Sequence, residues 1–366
     1  MMKKITTEKL FFSGDLFYSD ILFQISQAQT QILFEFYIFS ADEIGGQFEA
    51  ALKTAAERGV EIFMIVDGLG SMDWVSQRLS ILDHPLIHIK VFHPVSTRRF
   101  YNGVLFYRLG SFFKKMELFF SMLNRRDHRK VVVIDQQHAW LGSYNIDRCH
   151  SETLSGSKAW IDIAVKVTGP RANQVAQTFF LIWNQSNQFK VSFLRNFLKF
   201  STQQNLASSL KEKISNANHK IWITSPYIAP TKNLMNALLN AARRGVDVRI
   251  FLSQGSDVFF MPWVAKAHYR RFLNAGIRIF EVQNQFIHAK CVLFDENATV
   301  GSSNLNARSL IQDLEIDIEI VDDNNKQLLQ AKFEQFQNQS VEVKTFSMNP
   351  LYIIGSIILF FFGRFI

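Results

Sequence analysis

The chain contains one pattern of polar residues twice, and this repeat limits the possible folds more than any other feature of the sequence. The first copy, residues 127–145, reads DHRKVVVIDQQHAWLGSYN, and the second, residues 287–304, reads IHAKCVLFDENATVGSSN. Both copies predict two strands joined by a polar turn. The matched residues are His128, Lys130, Asp135, Ser143 and Asn145 in the first copy, and His288, Lys290, Asp295, Ser302 and Asn304 in the second.

A second pair of matching segments precedes these motifs. Residues 50–68 and 236–254 each show helical spacing of Ala and Leu, then Arg-Gly-Val, then an alternating β pattern. Gly59 and Gly245 lie where a helix should end. The repeat therefore predicts two related α/β halves, each a mixed sheet flanked by helices, at residues 1–185 and 205–345.

The two halves differ in length. Gly59 lies 69 positions before His128, whereas Gly245 lies 43 positions before His288, and most of the extra residues fall within 100–124. Apolar residues recur there at helical spacing with basic residues largely opposite, which predicts a basic amphipathic insertion. The alternative is a core helix with one solvated face.

The end of the chain, residues 350–366, predicts a hydrophobic tail. Its uncharged stretch, 351–363, spans roughly 20 Å as a helix, which is short of a hydrocarbon core of about 30 Å. We expect this tail to lie in the membrane interface, with a buried terminal helix as the alternative. The N-terminus is interrupted by Glu8 and Asp15 and does not resemble a secretory signal.

A net charge of +8 together with 36 phenylalanines indicates either a nucleic acid or an anionic membrane surface as partner. The basic residues flank apolar helical faces, which favours the membrane over nucleic acid. Two cysteines cannot form a disulfide framework, and they fit a reducing compartment.

The paired motif suits a phosphodiester. Alternate residues of a strand share a face, so His128 and Lys130 point the same way, while Asp135 faces away and is expected to be a structural partner. Two imidazoles, two ammonium groups and the donors of Gly-Ser-x-Asn would surround one point. No metal or cofactor is expected.

A nucleophilic histidine needs a carboxylate that holds the proton of its other ring nitrogen. Each half offers one: Asp162 lies 34 positions after His128, and Glu315 lies 27 after His288. We expect each carboxylate to serve the histidine of its own half. One histidine would attack phosphorus while the other acts as acid and base; we favour His128 as nucleophile and leave the reverse open.

Two other motifs are set aside. The loop that starts at Asp67 (DGLGS) lacks the third glycine and the opening helix of a dinucleotide site. His84, His88 and His93 have no Cys or Glu to complete a metal set, and we interpret them as ordinary surface histidines.

The doubled motif resembles the phospholipase D superfamily over residues 34–320, and most resembles the short type of bacterial cardiolipin synthase. The shared stretches are EFYIF (35–39), RRDHRK (125–130), WID (160–162), TSPYIAP (224–230), HYRRFLNAG (268–276) and GSSNLNARS (301–309). Gln136 and Glu296 depart from the family, which commonly has Gly at these turns.

The resemblance implies two phospholipase D-like repeats related by a pseudo-two-fold axis around one shared active site. It implies a phosphatidyltransferase that moves a phosphatidyl group from one phosphatidylglycerol to another through a phosphohistidine. The predicted catalytic set is His128, Lys130, Asp135, His288, Lys290 and Asp295, supported by Ser143, Asn145, Asp162, Ser302, Asn304 and Glu315.

Three other functions stay open: a phospholipase D-like hydrolase with water as acceptor, a nucleic-acid phosphodiesterase, and a non-catalytic membrane adaptor. We expect the protein at the cytoplasmic side of a bacterial inner membrane, peripheral or tail-anchored.

Overall fold

The computed structural model describes residues 7–94, 125–185 and 203–347, with 350, 352–354 and 357 of the C-terminal segment. The predicted insertion at 100–124 and most of the predicted tail at 350–366 lie outside the described residues. No helix within these described ranges combines the length and the apolar character needed to cross a bilayer.

Two seven-stranded mixed sheets form the framework. The first has the order β1-β7-β6-β5-β2-β3-β4, with β2, β3 and β4 parallel and β5, β6, β7 and β1 antiparallel. Its strands are β1 (Glu8–Phe11), β2 (Gln31–Phe36), β3 (Glu61–Asp67), β4 (Ile87–Phe92), β5 (Lys130–Ile134), β6 (His138–Gly142) and β7 (Ala164–Thr168).

The second sheet repeats this arrangement in the order β15-β13-β12-β8-β10-β11-β16. Its strands are β8 (Lys220–Thr224), β10 (Asp247–Ser253), β11 (Arg278–Val282), β12 (Cys291–Phe294), β13 (Asn297–Gly301), β15 (Asp317–Ile320) and β16 (Ser340–Glu342). A small parallel pair, β9 (Ile228–Ala229) and β14 (Leu305–Asn306), lies beside it. Because β2 to β7 correspond in order to β8, β10, β11, β12, β13 and β15, the prediction of two α/β repeats is confirmed.

Helices cover both sheets. The described helices are α1 (Gly14–Gln27), α2 (Glu43–Glu57), α3 (Met72–Gln77), α4 (Glu152–Ser155), α5 (Pro170–Gln185), α6 (Gln203–Asn216), α7 (Lys232–Arg243), α8 (Met261–Asn274), α9 (Ala307–Ile311) and α10 (Asp323–Asn338). The repeated helices α2 and α7 start alike, because Asp42 and Thr231 each accept the first free backbone N–H groups. Both end at a glycine with positive φ, 97° at Gly59 and 92° at Gly245, as the sequence predicts.

The main core lies between the two sheets. Buried residues of α5 and α10, such as Phe179 and Phe333, pack there against inward-facing residues of both sheets, such as Val133 and Phe251. Separate apolar clusters fill the outer faces, under α1 and α2 in the first half and under α6, α7 and α8 in the second. The two halves therefore share one continuous core, which fixes the ends of their strands relative to each other.

Candidate active site

Backbone pairing between the halves positions the first motif. The N–H of His128 donates to the carbonyl of Leu314 at 2.9 Å, and the N–H of Leu314 donates to the carbonyl of Arg126 at 2.8 Å. Because Glu315 directly follows Leu314, its carboxylate reaches the imidazole from the other half. Nδ1 of His128 lies 2.9 Å from Oε1 and 3.0 Å from Oε2 of Glu315.

The second motif is held in the same way. The N–H of His288 donates to the carbonyl of Ile161, and the N–H of Ile161 donates to the carbonyl of Phe286, both at 2.8 Å. Asp162 directly follows Ile161, and its Oδ1 lies 2.9 Å from Nδ1 of His288. Each histidine therefore has a carboxylate partner, and the two pairs meet where the halves join.

The expected assignment of carboxylates is wrong. The structure pairs Glu315 with His128 and Asp162 with His288, whereas the sequence spacing suggested one pair within each half. The cause is the set of backbone bridges between the halves, which link each histidine segment to the segment of the opposite carboxylate. Spacing along one half carries no information about these bridges.

Two buried lysines lie against the histidines. Nζ of Lys130 donates to the carbonyl of His128 at 2.6 Å, and Nζ of Lys290 donates to that of His288 at 2.7 Å. Nζ of Lys290 also lies 2.8 Å from Nε2 of His288. Burial lowers the pKa of Lys130 to about 8 and that of Lys290 to about 7. An anion such as a phosphodiester would stabilise both ammonium groups here.

The two carboxylates differ in acidity. Burial raises the pKa of Glu315 to about 8, although Lys130 opposes the shift, so this carboxyl holds a proton more readily than an exposed glutamate does. Burial also acts to raise the pKa of Asp162, but interactions with His288 and His150 outweigh it and hold that pKa well below the ordinary value. The two histidine-carboxylate pairs are therefore related in position but not equivalent in chemistry.

Burial and nearby cations keep both catalytic imidazoles neutral. Desolvation, followed by the ammonium groups of Lys130 and Lys290, lowers the pKa of His128 well below its ordinary value. Desolvation and then Lys290 lower the pKa of His288. A neutral imidazole offers a lone pair on one nitrogen, which a nucleophile or a general base requires.

Ser143 and Ser302 fix the segments that carry the carboxylates. Oγ of Ser143 donates to the carbonyl of Ile163 and accepts its N–H, both at 3.1 Å. Oγ of Ser302 donates to Oε2 of Glu315 and accepts the N–H of Ile316. Both serines therefore hold the backbone that directly follows a carboxylate in place, and their hydroxyls are used within the protein.

The glycines of Gly-Ser-x-Asn permit this close approach. A Cβ on Gly142 would lie 2.5 Å from the carbonyl oxygen of Ile163, and one on Gly301 would lie 2.5 Å from that of Ile316. Real Cβ atoms do not come that near to a backbone oxygen, so only glycine fits at either position.

The two asparagines occupy related but different surroundings. Oδ1 of Asn145 accepts the N–H of Ile38 at 3.3 Å. Oδ1 of Asn304 is buried without a hydrogen-bond partner among the described residues, as are the hydroxyls of Thr224 and Ser303. These three residues and Lys290 line one cavity of about 320 Å³. Lys290 borders this cavity, whereas neither His128 nor His288 lines it.

Asp135 and Asp295 lie away from the histidines, at the opposite ends of β5 and β12. Seven residues of strand separate each aspartate from its histidine, roughly 20 Å. Each carboxylate accepts three backbone N–H groups from the start of a neighbouring strand. The donors are Gln29, Thr30 and Gln31 for Asp135, and Asn218, His219 and Lys220 for Asp295. These contacts agree with the structural role expected from strand alternation, and the place of both aspartates in the catalytic set, which the resemblance implied, is wrong.

The turn after Asp135 holds one of the two departures from the family, Gln136. Asp135 and Gln136 both have positive φ, 50° and 52°, which glycine adopts most easily. The side chain of Gln136 compensates by accepting a hydrogen bond from Asn173 at 2.9 Å. The change affects a turn far from the histidines.

The sequence pattern did not single out several groups that hold the site. The ring of Tyr37 meets the ring of His128 edge-on at 4.9 Å, and Nζ of Lys130 lies 5.3 Å from the Tyr37 centroid. Tyr37 follows β2 as Tyr227 follows β8, so the repeat itself could have identified it.

Buried ion pairs anchor the segment before His128. The guanidinium of Arg126 lies 2.7 Å from Asp67, and both side chains are at most 2% exposed. Arg129 lies 3.3 Å from Glu35, also buried. The loop at Asp67, set aside as a dinucleotide site, thus supports the first motif; its carboxylate also accepts the N–H groups of its own turn.

The family model described as cardiolipin synthase, phospholipase D-like domain, matches residues 21–181 and 210–337. The chain belongs to this family. One match falls on each half, which confirms the two phospholipase D-like repeats.

Curated relatives agree with this assignment. The cardiolipin synthase of Clostridium perfringens strain SM101 is 28% identical over 350 residues, which cover 89% of this chain and 69% of that protein. The cardiolipin synthase of Staphylococcus aureus strain Mu50 is 28% identical over 347 residues, covering 89% of this chain and 66% of that protein.

Solved structures share the fold. Phosphatidylserine synthase from Haemophilus influenzae superposes with a TM-score of 0.68 at 14% identity, covering 98% of this chain and 95% of that one. Polyphosphate kinase from Porphyromonas gingivalis gives a TM-score of 0.61 at 12% identity, covering 98% of this chain and 53% of that one. The fold is therefore shared well beyond recognisable sequence identity.

Proposed function

We propose that the protein is a phosphatidyltransferase that makes cardiolipin and glycerol from two molecules of phosphatidylglycerol. The observation that carries the proposal is the arrangement of two histidine-carboxylate pairs around two buried lysines. Such a site can bind a phosphodiester, attack it and move a proton with its own side chains. The names of the curated relatives supply the lipid class.

In the first half-reaction, Nε2 of His128 attacks the phosphorus of one phosphatidylglycerol. The bond from phosphorus to the headgroup glycerol oxygen breaks, and that oxygen takes a proton from Nε2 of His288, which first receives it from the adjacent ammonium of Lys290. The phosphatidyl group is left on His128 as a phosphohistidine. Lys130 and Lys290 neutralise the charge on the phosphoryl oxygens.

In the second half-reaction, His288 removes the proton from a headgroup hydroxyl of a second phosphatidylglycerol. The resulting oxygen attacks the phosphorus, the P–N bond to His128 breaks, and cardiolipin leaves. Protons balance over the cycle, because the proton that His288 removes from this hydroxyl returns to Lys290.

Two features support His128 as the nucleophile. Its side chain is 12% exposed, whereas that of His288 is 6% exposed. Nε2 of His288 also lies beside Nζ of Lys290, whose pKa of about 7 suits a proton source for that ring. His288 is therefore better placed to exchange protons, and His128 has more open access to a bound lipid.

An aromatic cluster at the start of α8, with one exposed and two partly buried rings, is the proposed membrane contact among the described residues. Phe259 is 75% exposed, and its ring meets those of Phe260 and Trp263 at 5.4 and 5.8 Å. The cluster follows the end of β10, where Oγ of Ser253 accepts the N–H of Ile287, the neighbour of His288. A bilayer at this tip would lie close to the active site. The insertion at 100–124 and the tail at 350–366 remain proposed further contacts.

The decisive experiment supplies purified protein with vesicles of radiolabelled phosphatidylglycerol and separates the lipid products. We expect cardiolipin and glycerol, with no product from His128→Ala or His288→Ala. Phosphatidic acid as the main product would instead establish the hydrolase, and cleavage of nucleic acid but not of lipid would overturn both. Acid-labile label on His128 in a quenched reaction would identify the nucleophile; label on His288 would reverse the roles.

A further inference from the structure

His150 is a fully buried histidine that the reaction described above does not use. It lies five positions after Asn145, and its ring packs against Trp160 and His288 at centroid distances of 5.4 and 5.7 Å. Its Nδ1 lies 2.6 Å from Oδ2 of Asp162. Among the described residues neither atom has a hydrogen bond of regular geometry, so this close approach is the polar contact that each of them makes.

The backbone fixes which nitrogen of His150 carries the proton. The N–H of Asn145 donates to Nε2 of His150 at 3.3 Å, so Nε2 is the acceptor and Nδ1 carries hydrogen. Nδ1 of His150 lies 2.6 Å from Oδ2 of Asp162, while Oδ1 of the same carboxylate faces Nδ1 of His288. A chain of contacts therefore runs from the Asn145 backbone through His150 and Asp162 to His288.

The second half has the same chain built from different residues. The N–H of Asn304 donates to Oγ of Ser309 at 2.9 Å, and that hydroxyl donates to Oε1 of Glu315. Ser309 also lies five positions after its asparagine. The combined length of the two side chains is similar in both halves, although the residues differ. A long His contacts a short Asp in the first half, and a short Ser contacts a long Glu in the second half.

We propose that His150 is a positioning residue that fixes the orientation and the charge of Asp162, and through Asp162 makes His288 the acid and base of the site. It touches no reacting atom. Its Nδ1 lies against Oδ2, so Oδ1 is left for His288, and the polar N–H beside the carboxylate stabilises the ionised form, which in turn favours a protonated His288.

The direction of the effect on proton transfer follows from this chain. Without the donor at Oδ2, Asp162 is harder to ionise, and a neutral Asp162 no longer stabilises a proton on His288 or on Lys290. His288 should therefore lose its acidic proton at a lower pH. The other titratable groups that face this cluster are Lys130, Lys290, Glu315, Asp257, Tyr18, Tyr144 and Cys149. All are unchanged in the variants below.

The test compares His150→Ala with the double variant His150→Ser/Asp162→Glu, which copies the pair of the second half. We expect His150→Ala to lower kcat by about 10- to 100-fold with little change in KM, and to move the alkaline limb of the pH profile to lower pH. The double variant should recover most of the loss that His150→Ser shows alone. His88→Ala, at an exposed histidine, is the matched control.

A readout without substrate separates this proposal from the proposed lipid chemistry. Ring signals of His288 in protein labelled with ¹⁵N-histidine should titrate at lower pH in His150→Ala than in wild type. An unchanged titration, or a double variant no better than His150→Ser, would reduce His150 to a packing residue. Stoichiometric metal in the purified protein that His150→Ala abolishes would also overturn the proposal, because His150, Asp162 and His288 are close enough to share an ion.

Discussion

Oδ1 of Asp162, from the first half of the chain, lies 2.9 Å from Nδ1 of His288 in the second half. The reciprocal pair joins His128 to Glu315 at the same distance. Neither half therefore contains a complete histidine-carboxylate pair, and both depend on backbone bonds that cross between the repeats. The interface between the halves therefore contributes to the core and also positions the residues of the active site.

The crossed pairs predict that each carboxylate is needed for transfer. Asp162→Asn should keep a hydrogen-bonding group beside His288 but remove its charge, so we expect kcat to fall by roughly 10²- to 10⁴-fold. Glu315→Gln should also lower kcat, by a smaller factor because burial raises the pKa of Glu315 and so makes its negative charge less favourable than that of Asp162. Initial rates of cardiolipin formation measure both; an Asp162→Asn variant with wild-type kcat would contradict the dependence on this pair.

Asp135 and Asp295 should affect stability rather than rate. Each accepts three backbone N–H groups, so Asp135→Ala should lower the free energy of unfolding by about 1.5–3 kcal/mol. Burial acts to raise the pKa of Asp135, but these bonds hold it below its ordinary value. The stabilisation is thus present above the unfolded pKa of about 4 and is lost as pH falls through the folded value.

Urea unfolding of Asp135→Ala at pH 7 and at pH 3.5 measures this loss, with exposed Asp83→Ala as control. We expect the difference from wild type to shrink at the lower pH. A folded variant whose kcat falls a hundredfold would instead give Asp135 a direct part in catalysis.

The lysines predict how substrate affinity depends on pH. Burial lowers the pKa of Lys290 to about 7 and that of Lys130 to about 8, so both are charged at pH 6 and lose protons as pH rises through these values. KM for phosphatidylglycerol should therefore rise above pH 8. Arginine stays charged over this range, so Lys130→Arg should show a flatter KM profile even if its kcat is lower. A wild-type KM that is constant from pH 6 to 9 would exclude this account.

The aromatic cluster at the start of α8 predicts that a substitution there weakens membrane binding, whereas one at a distant exposed phenylalanine does not. Burying one phenylalanine in an apolar phase contributes about 1.5–3 kcal/mol, so Phe259→Ser should weaken binding to anionic vesicles by about tenfold or more. Phe23 on α1 is 66% exposed and lies in the other half, so Phe23→Ser is the matched control. Vesicle sedimentation compares the two variants. Equal binding by both would show that the aromatic cluster at the start of α8 does not contact the membrane.

The sequence predicted the two repeats because their signals are local. The helix ends at Gly59 and Gly245 and the alternating strands before each motif depend on neighbouring residues, and the structure repeats them strand for strand. The outward direction of Asp135 also followed from alternation along one strand.

The pairing of carboxylates with histidines depends on long-range contacts and was therefore missed. It is decided by backbone bonds such as that from His128 to Leu314, between segments 186 positions apart, which no local pattern encodes. His150 escaped notice for a related reason: its counterpart is a serine, and the likeness appears only when the lengths of Asp162 and Glu315 are considered with it. The predicted membrane segments at 100–124 and 350–366 stay predictions.

The crossing of the two pairs has a consequence for how such a protein can change over generations. A substitution near His128 must remain compatible with the residues around Glu315, which are far away in the same gene. The two repeats therefore cannot change independently, even after their sequences have lost most visible similarity. For the same reason, two half-length fragments produced separately should regain activity only when they associate. The two halves thus resemble a dimer joined by a covalent linker, in which each subunit supplies the carboxylate that contacts the histidine of the other.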